Sequence, residues 1–277
     1  MSRSVQLAPV RIVSPEPASG PPTTLRMAYE RAGGGRPVLL IHGNFASRRW
    51  WTEQLDDPAP GLDLIAPDLP GFGRSDPLPD SLPEASWVAA WSDALAGLLD
   101  ALGIERAGVV GHSLGGAAAQ ALAIRHPQRV SALLLVDAAP PGGFPTPEAH
   151  YPVLEAMKTD RNLLHASLAA ISPTRIPPYF DALVDDAMAM QPRAFQGNAR
   201  ALAAYDLSAD TGAVTAPVTV LHGAKDALVS RAVADATVAA YAGARLVAWP
   251  DVGHSPQLEA PEAFRDLLAT TFARGPT

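Results

Sequence analysis

The sequence of 277 residues contains no cysteine, no basic run and no long apolar stretch. Without cysteine the chain forms no disulfide and offers no thiol nucleophile. A net charge of −7 with no basic cluster argues against a nucleic-acid partner. No stretch approaches the ~20 apolar residues that a membrane span requires. Pro9 and Arg11 interrupt the apolar residues near the N-terminus, so we expect no signal peptide and a soluble, cytoplasmic protein.

The composition is that of a well-buried globular protein. Hydrophobic residues make up 48% of the chain and charged residues 18%, which excludes an intrinsically disordered protein. A chain of 277 residues can hold one large α/β domain with an insertion, or two small domains.

Short apolar runs alternate with helix-like segments over most of the chain. Most runs are continuously apolar, as in strands that are buried on both faces, whereas residues 25–30 alternate and indicate an edge strand. Such an alternation of strands and helices predicts an α/β fold with a mostly parallel sheet and helices on both faces. The expected strands are residues 5–13, 25–30, 37–41, 62–67, 107–110, 130–136, 218–221 and 245–249.

This alternation breaks after residue 138. A segment rich in proline and glycine is followed by about 60 helix-like residues without a convincing strand. We therefore predict a helical cap inserted at residues 139–208, with residues 1–138 and 209–277 forming the α/β core. The apolar faces of the cap are expected to pack on the core, and part of them can roof a substrate cavity.

The motif GHSLGG at residues 111–116 is the most informative stretch of the sequence. The β-branched run at 107–110 precedes it and the alanine- and leucine-rich run at 117–124 follows it. A buried strand is thus predicted to turn sharply into a helix, with Ser113 at the turn. Glycines beside the serine would let the strand and the helix approach each other closely. This context favours Ser113 as a nucleophile.

A serine hydroxyl needs a base to take its proton and a third group to orient that base. Among seven histidines, His254 is the best candidate because it lies in a loop after the last predicted strand. His42 and His112 belong to tight turns and are interpreted as structural. No histidine is spaced with other ligands as in a zinc site, so no metal is expected.

The third group should be an acid at the end of a buried strand. Asp226 follows the strand at 218–221 in a Gly-Ala-Lys-Asp turn, and Asp137 directly follows the strand at 130–136. The residues alone do not exclude either Asp226 or Asp137 as this acid.

These motifs together resemble the α/β-hydrolase family, and the resemblance covers most of the chain. The motifs are His42-Gly43-Asn44, the turn at 68–75, the GHSLGG motif, the Asp226 turn and the His254 loop. The family order of serine, acid and histidine implies the triad Ser113, Asp226 and His254, although some relatives take their acid from the position of Asp137.

The resemblance also implies an oxyanion hole of two backbone N–H groups. Leu114 would supply one, since it follows the nucleophile at the positive end of the next helix. The residue after His-Gly commonly supplies the other in this family, which implies Asn44. Phe45 is the alternative donor and an expected wall of the substrate pocket.

Serine at the elbow, the sharp strand-to-helix turn at Ser113, argues against haloalkane dehalogenases and epoxide hydrolases, whose nucleophile is aspartate. Relatives that cleave carbon–carbon bonds often have tryptophan after the catalytic histidine, where this chain has Ser255. The expected function is hydrolysis of an ester or lactone of a small, partly apolar substrate through an acyl-enzyme, and no cofactor is implied. A carbon–carbon bond hydrolase, an acyltransferase, a perhydrolase and a slow-turnover receptor remain open, as do the substrate and a homodimer.

Overall fold

The computed structural model describes residues 3–12 and 23–272, and eight strands in these ranges form one sheet. The strands are β1 (Gln6–Ile12), β2 (Thr23–Gly33), β3 (Arg36–Ile41), β4 (Leu62–Pro67), β5 (Ala107–His112), β6 (Val130–Val136), β7 (Val218–Gly223) and β8 (Arg245–Trp249). Their spatial order is β1-β2-β4-β3-β5-β6-β7-β8. The expected strands are thereby confirmed; Val13, the expected end of the first, lies outside the described residues.

The sheet is parallel from β4 through β8 and antiparallel at its other end. β1 pairs with β2, and β2 pairs with β4, in antiparallel register. The expectation that residues 25–30 form an edge strand is therefore wrong, because β2 lies between two strands and β1 is the edge. The sequence of β2 alternates because one face of the strand is partly exposed, as at Arg26. This alternation does not report whether both edges of the strand are paired.

Ten α-helices surround the sheet in the described ranges. They are α1 (Thr52–Asp56), α2 (Trp87–Ala101), α3 (Leu114–Arg125), α4 (Tyr151–Ala156), α5 (Arg161–Ala170), α6 (Phe180–Met188), α7 (Ala194–Ala204), α8 (Arg231–Ala239), α9 (Pro256–Glu259) and α10 (Pro261–Phe272). Helices α4 to α7 all lie between β6 and β7, within the segment predicted as a cap. The limits 139 and 208 of that cap remain a prediction.

Both faces of the parallel strands are buried. In β3, Leu39 and Ile41 join the apolar cluster that contains α2 and α3, while Val38 and Leu40 join the cluster on the other face. Because neighbouring residues of a strand point to opposite faces, this division explains the continuous apolar runs. The parallel strands thus form a rigid platform whose carboxyl ends can hold a site.

The inserted helices pack over the carboxyl ends of the strands. The ring of Phe195 in α7 meets the ring of Phe45 edge-on, at 5.5 Å between centroids. The Ser47 hydroxyl donates a 2.6 Å hydrogen bond to Asp186 in α6. The insertion therefore covers the loop after β3, which contains the predicted oxyanion residues.

Candidate active site

Ser113 stands at a strained turn between β5 and α3. Its φ of 52° and ψ of −120° lie outside the regions that side-chain-bearing residues ordinarily adopt, at a cost of about 1–3 kcal/mol. A Cβ placed on Gly111 would lie 2.6 Å from the carbonyl oxygen of Gly115. The turn is therefore as tight as the glycines of the motif predicted, and it holds the serine at the end of a central strand.

His254 and Asp226 form a buried pair at the carboxyl ends of the strands, on the same side of the sheet as Ser113. His254 Nδ1 lies 2.7 Å from Asp226 Oδ2, and the two side chains are 2% and 0% exposed. The other oxygen of Asp226 accepts the backbone N–H groups of Leu228 and Val229 at 2.7 and 3.1 Å. Burial alone would raise the pKa of Asp226, but the hydrogen bond and charge of His254, with these N–H groups, hold it below its usual value.

His112, the residue before Ser113, joins the histidine loop to the elbow. Its Nε2–H donates to the carbonyl oxygen of His254 at 2.8 Å, and the two imidazole rings lie 5.0 Å apart. Burial lowers the pKa of His112 to about 3, so the ring is neutral. No hydrogen bond joins the Ser113 hydroxyl to His254 in the described ranges; such bonds often form only when substrate is bound.

Asp137, the other candidate acid, makes different contacts. Its Oδ1 accepts His222 Nδ1–H at 2.9 Å and the Gly223 N–H at 3.0 Å, and its carboxyl lies beside that of Asp226. Burial and the charge of Asp226 raise the pKa of Asp137 well above its usual value. Asp226 is thus the carboxylate that contacts His254, and Asp137 lies behind it.

Three side chains of this region have the spacing of a metal site. One ligand atom from each of Asp137, His222 and Asp226 lies within 4.8 Å of the others. The nitrogen of His222 in this cluster already donates to Asp137, and a ligating nitrogen would need a free lone pair. The hydrogen bonds within the cluster therefore account for its geometry.

The N–H groups of Leu114, directly after Ser113, and of Asn44, on the loop after β3, have no acceptor among the described residues. The N–H of Phe45 instead donates to the side-chain Oδ1 of Asn44 at 3.0 Å. A Cβ on Gly43 would lie 3.0 Å from the Cβ of Ser113, so this loop approaches the elbow closely. The arrangement favours Asn44 over Phe45 as the second oxyanion donor.

His42 holds the loop that carries Asn44. Its Nδ1–H donates to the Gly43 carbonyl at 2.8 Å, and its Nε2 accepts the Leu69 N–H at 3.0 Å. With both nitrogens occupied and its pKa lowered by burial, the ring has a structural role, in agreement with the sequence interpretation.

Two buried polar residues escaped the sequence analysis. Asp68, the first residue of the turn at 68–75, has a carboxylate that is 0% exposed and pairs with Arg48 at 2.8 Å. Asn198 in α7 donates from Nδ2 to Asn44 Oδ1 at 2.7 Å. Asn198 shares the apolar face of its helix with Phe195 and Leu202, and a polar residue on such a face was the available signal.

A large groove lies on the opposite side of the sheet, at the amino ends of the strands. It has a volume of about 930 Å³ and is lined by residues at the amino ends of the strands, among them Arg36, Arg106 and Arg245. Ligands of open parallel sheets bind outside the carboxyl ends of the strands, where Ser113 lies. The groove is therefore separate from the candidate site. No helix in residues 3–12 or 23–272 is both long and apolar enough to cross a membrane.

The sequence and the fold of the chain are both similar to those of known proteins. The alpha/beta hydrolase family matches residues 38–267. The 2-hydroxymuconate semialdehyde hydrolase of Pseudomonas sp. (strain CF600) is 31% identical over 267 residues, which span 90% of this chain and 91% of that protein. The structure of a thermophilic esterase from Thermogutta terrifontis superposes with a TM-score of 0.77 at 25% identity, over 95% of this chain and 97% of that one.

The enol-lactonase from Burkholderia xenovorans LB400 has a TM-score of 0.78 at 23% identity, over 90% of this chain and 97% of that one, and shows the fold alone. The parallel sheet and the family match agree with the fold expected from the sequence, and the named relatives are hydrolases. The chain therefore belongs to the alpha/beta hydrolase family.

Proposed function

We propose that the protein is a serine hydrolase that cleaves an ester or lactone of a small, neutral, partly apolar substrate. The observation that carries this proposal is the buried 2.7 Å pair of Asp226 and His254, tied through His112 to the strained turn at Ser113. A serine at such a turn and an imidazole oriented by a buried carboxylate are the parts that acyl transfer requires.

In the proposed reaction, the Ser113 hydroxyl oxygen attacks the scissile carbonyl carbon while His254 takes the hydroxyl proton. The carbonyl oxygen becomes negative and accepts hydrogen bonds from the N–H groups of Leu114 and Asn44. One such donor is worth about 2.7–4 kcal/mol. The tetrahedral intermediate then breaks its bond to the alcohol oxygen, which leaves with the proton from His254. An ester between Ser113 and the acyl group remains.

Water completes the cycle. His254 accepts a proton from the water as its oxygen attacks the acyl carbon, and then returns that proton to the Ser113 oxygen as the acid departs. Asp226 stays ionised and stabilises the imidazolium in both halves. Asp137, whose pKa is raised by burial and by the charge of Asp226, accepts from His222 and Gly223. It therefore does not compete for His254.

The charges of the cap favour a neutral substrate. Four of the five lysines and arginines in residues 139–208 have an acidic or carbonyl partner within the protein and the fifth, Arg200, lies on an aromatic ring, so few cations are free to pair with an acidic substrate. The partners are Glu155 for Lys158, Asp181 and Asp185 for Arg161, Glu53 for Arg175, the Leu82 carbonyl for Arg193, and the Tyr151 ring for Arg200. A carboxylate buried beneath the cap would lose its hydration with little compensation.

Hydrolysis of a carbon–carbon bond is the second candidate. The 31% identity to the 2-hydroxymuconate semialdehyde hydrolase favours it. Ser255 after the candidate histidine and the paired cations of the cap argue against it.

The two functions are separated by assaying the purified protein with p-nitrophenyl butyrate, with small lactones and with 2-hydroxymuconate semialdehyde. Turnover of an ester or lactone is expected. Turnover of the semialdehyde alone would replace the proposal with the second candidate.

A further inference from the structure

The buried amide of Asn198 reaches from the cap into the oxyanion loop. Asn198 is 0% exposed, and its Nδ2 donates to Asn44 Oδ1 at 2.7 Å. One turn earlier on α7, Phe195 packs against Phe45. The contact therefore crosses the boundary between cap and core directly above the loop that carries the proposed oxyanion donor.

The orientation of both amides is fixed by one backbone group. The N–H of Phe45 can only donate, so the Asn44 atom 3.0 Å away must be the acceptor Oδ1. The Asn198 atom that contacts this oxygen must then be the donor Nδ2, which also approaches Met190 Sδ at 3.5 Å. The chain of contacts thus determines which end of the Asn198 amide is its oxygen.

That oxygen is unsatisfied. Asn198 Oδ1 is buried and finds no hydrogen-bond donor among the described residues. Leaving a buried acceptor unpaired is unfavourable, and native structures rarely do so without a reason. The oxygen lies on the amide that touches the side chain of Asn44, the residue whose backbone N–H is the proposed oxyanion donor.

We propose that Asn198 is both a positioning residue and a specificity residue for the reaction proposed above, on which this inference rests. Its Nδ2 holds the Asn44 side chain on the Phe45 N–H, which keeps the Asn44 N–H aimed at the oxyanion. Its Oδ1 accepts a hydrogen bond from a hydroxyl or amide N–H of the substrate near the scissile carbonyl. The substrate class is therefore neutral esters or lactones of hydroxylated or N-acylated acids.

The test compares methyl esters of butyric, 2-hydroxybutyric and 3-hydroxybutyric acid and of N-acetylglycine, followed by pH-stat. The wild-type enzyme should prefer at least one donor-bearing ester over methyl butyrate by about tenfold in kcat/KM, as one buried hydrogen bond allows. Asn198→Ala and the similarly sized Asn198→Leu should erase this preference. Both should also lower kcat for methyl butyrate several-fold with little change in KM.

Gln196→Ala is the matched control, because this amide of the same helix contacts residues of the cap alone, donating to the Tyr151 carbonyl and accepting from Arg200. It should leave the preference and kcat unchanged. Thermal melts of all three variants show whether each is folded. Absence of any donor preference in the wild type, or an unchanged preference in both folded Asn198 variants, would overturn the inference. If the wild type cleaves no ester and no fluorophosphonate labels it, the proposed function fails first, and this inference with it.

Discussion

Asp137 and Asp226, which follow the adjacent strands β6 and β7, face each other with side-chain oxygens within 4.8 Å. Only Asp226 reaches the imidazole of His254, while Asp137 accepts from His222 and Gly223. Two carboxyls this close divide their roles, because one charge raises the pKa of the other group. The raised pKa of Asp137 and the lowered pKa of Asp226 follow that division.

Asp226→Asn should lower kcat/KM for a p-nitrophenyl ester by about 10³–10⁴-fold, because an amide neither stabilises the imidazolium nor fixes its tautomer. Steady-state kinetics at pH 7.5 measure this loss. Asp137→Asn is the matched control. An amide at this position keeps an acceptor oxygen for the N–H groups of His222 and Gly223, so this variant should lose less than tenfold. The reverse order of the two losses would make Asp137 the triad acid.

The stability of Asp137→Asn should depend on pH less than that of the wild type. The pKa of Asp137 is raised in the folded protein, so between about pH 4, its unfolded value, and its folded pKa the native state binds more protons than the unfolded state. The contribution of Asp137 to wild-type stability therefore declines through this window as pH rises. Urea unfolding of both proteins from pH 4.5 to 8 measures the difference. The free energy of unfolding of the variant should rise relative to the wild type with pH, and a constant difference would contradict a raised pKa.

Gly43→Ala should impair the reaction while leaving the fold intact. Its Cβ would lie 2.9 Å from His112 Nδ1 and 3.0 Å from the Cβ of Ser113, so the loop that carries Asn44 must move away. Displacing a catalytic group by about 1 Å lowers kcat by up to about 10²-fold. Gly34→Ala is the matched control, because no atom lies within 4 Å of its Cβ position. Equal activities of the two variants would argue against a role for this loop.

A negative charge on the substrate should lower turnover. Methyl butyrate and monomethyl succinate are similar in size, but the second bears a carboxylate at neutral pH. The paired cations Arg161 and Arg175 offer it no counter-ion, so kcat/KM should be at least about tenfold lower for the charged ester. A pH-stat assay with both esters tests this. Faster turnover of monomethyl succinate would indicate a cation that the cap supplies on binding substrate.

The local features of this fold could be predicted from the sequence. The turn at Ser113 depends on neighbouring residues, since Gly111 and Gly115 must touch each other for β5 to meet α3. The buried strands were equally visible, because burial on both faces imposes continuous apolar runs. The position of β2 inside the sheet could not be predicted, since strand pairing depends on strands far away in sequence.

The polar partners of the candidate site could not be assigned from the sequence for the same reason. Asn198 and Asn44 are separated by 154 residues, and His222 and Asp137 by 85. Nothing in the local pattern around Asp137 reports that another carboxyl will lie beside it and raise its pKa. Choosing between Asp137 and Asp226 required the family order, and the contact of Asp226 with His254 now supports that choice.

The most direct test of the central claim is to identify the residue that a fluorophosphonate modifies. The wild-type protein should be labelled once, on the peptide containing Ser113, with loss of esterase activity in proportion. Ser113→Ala should be neither labelled nor active. Ser131→Ala should match the wild type, because Ser131 lies at the amino end of β6, away from the candidate site. Labelling at a different residue, or ester hydrolysis that persists in Ser113→Ala, would contradict the account.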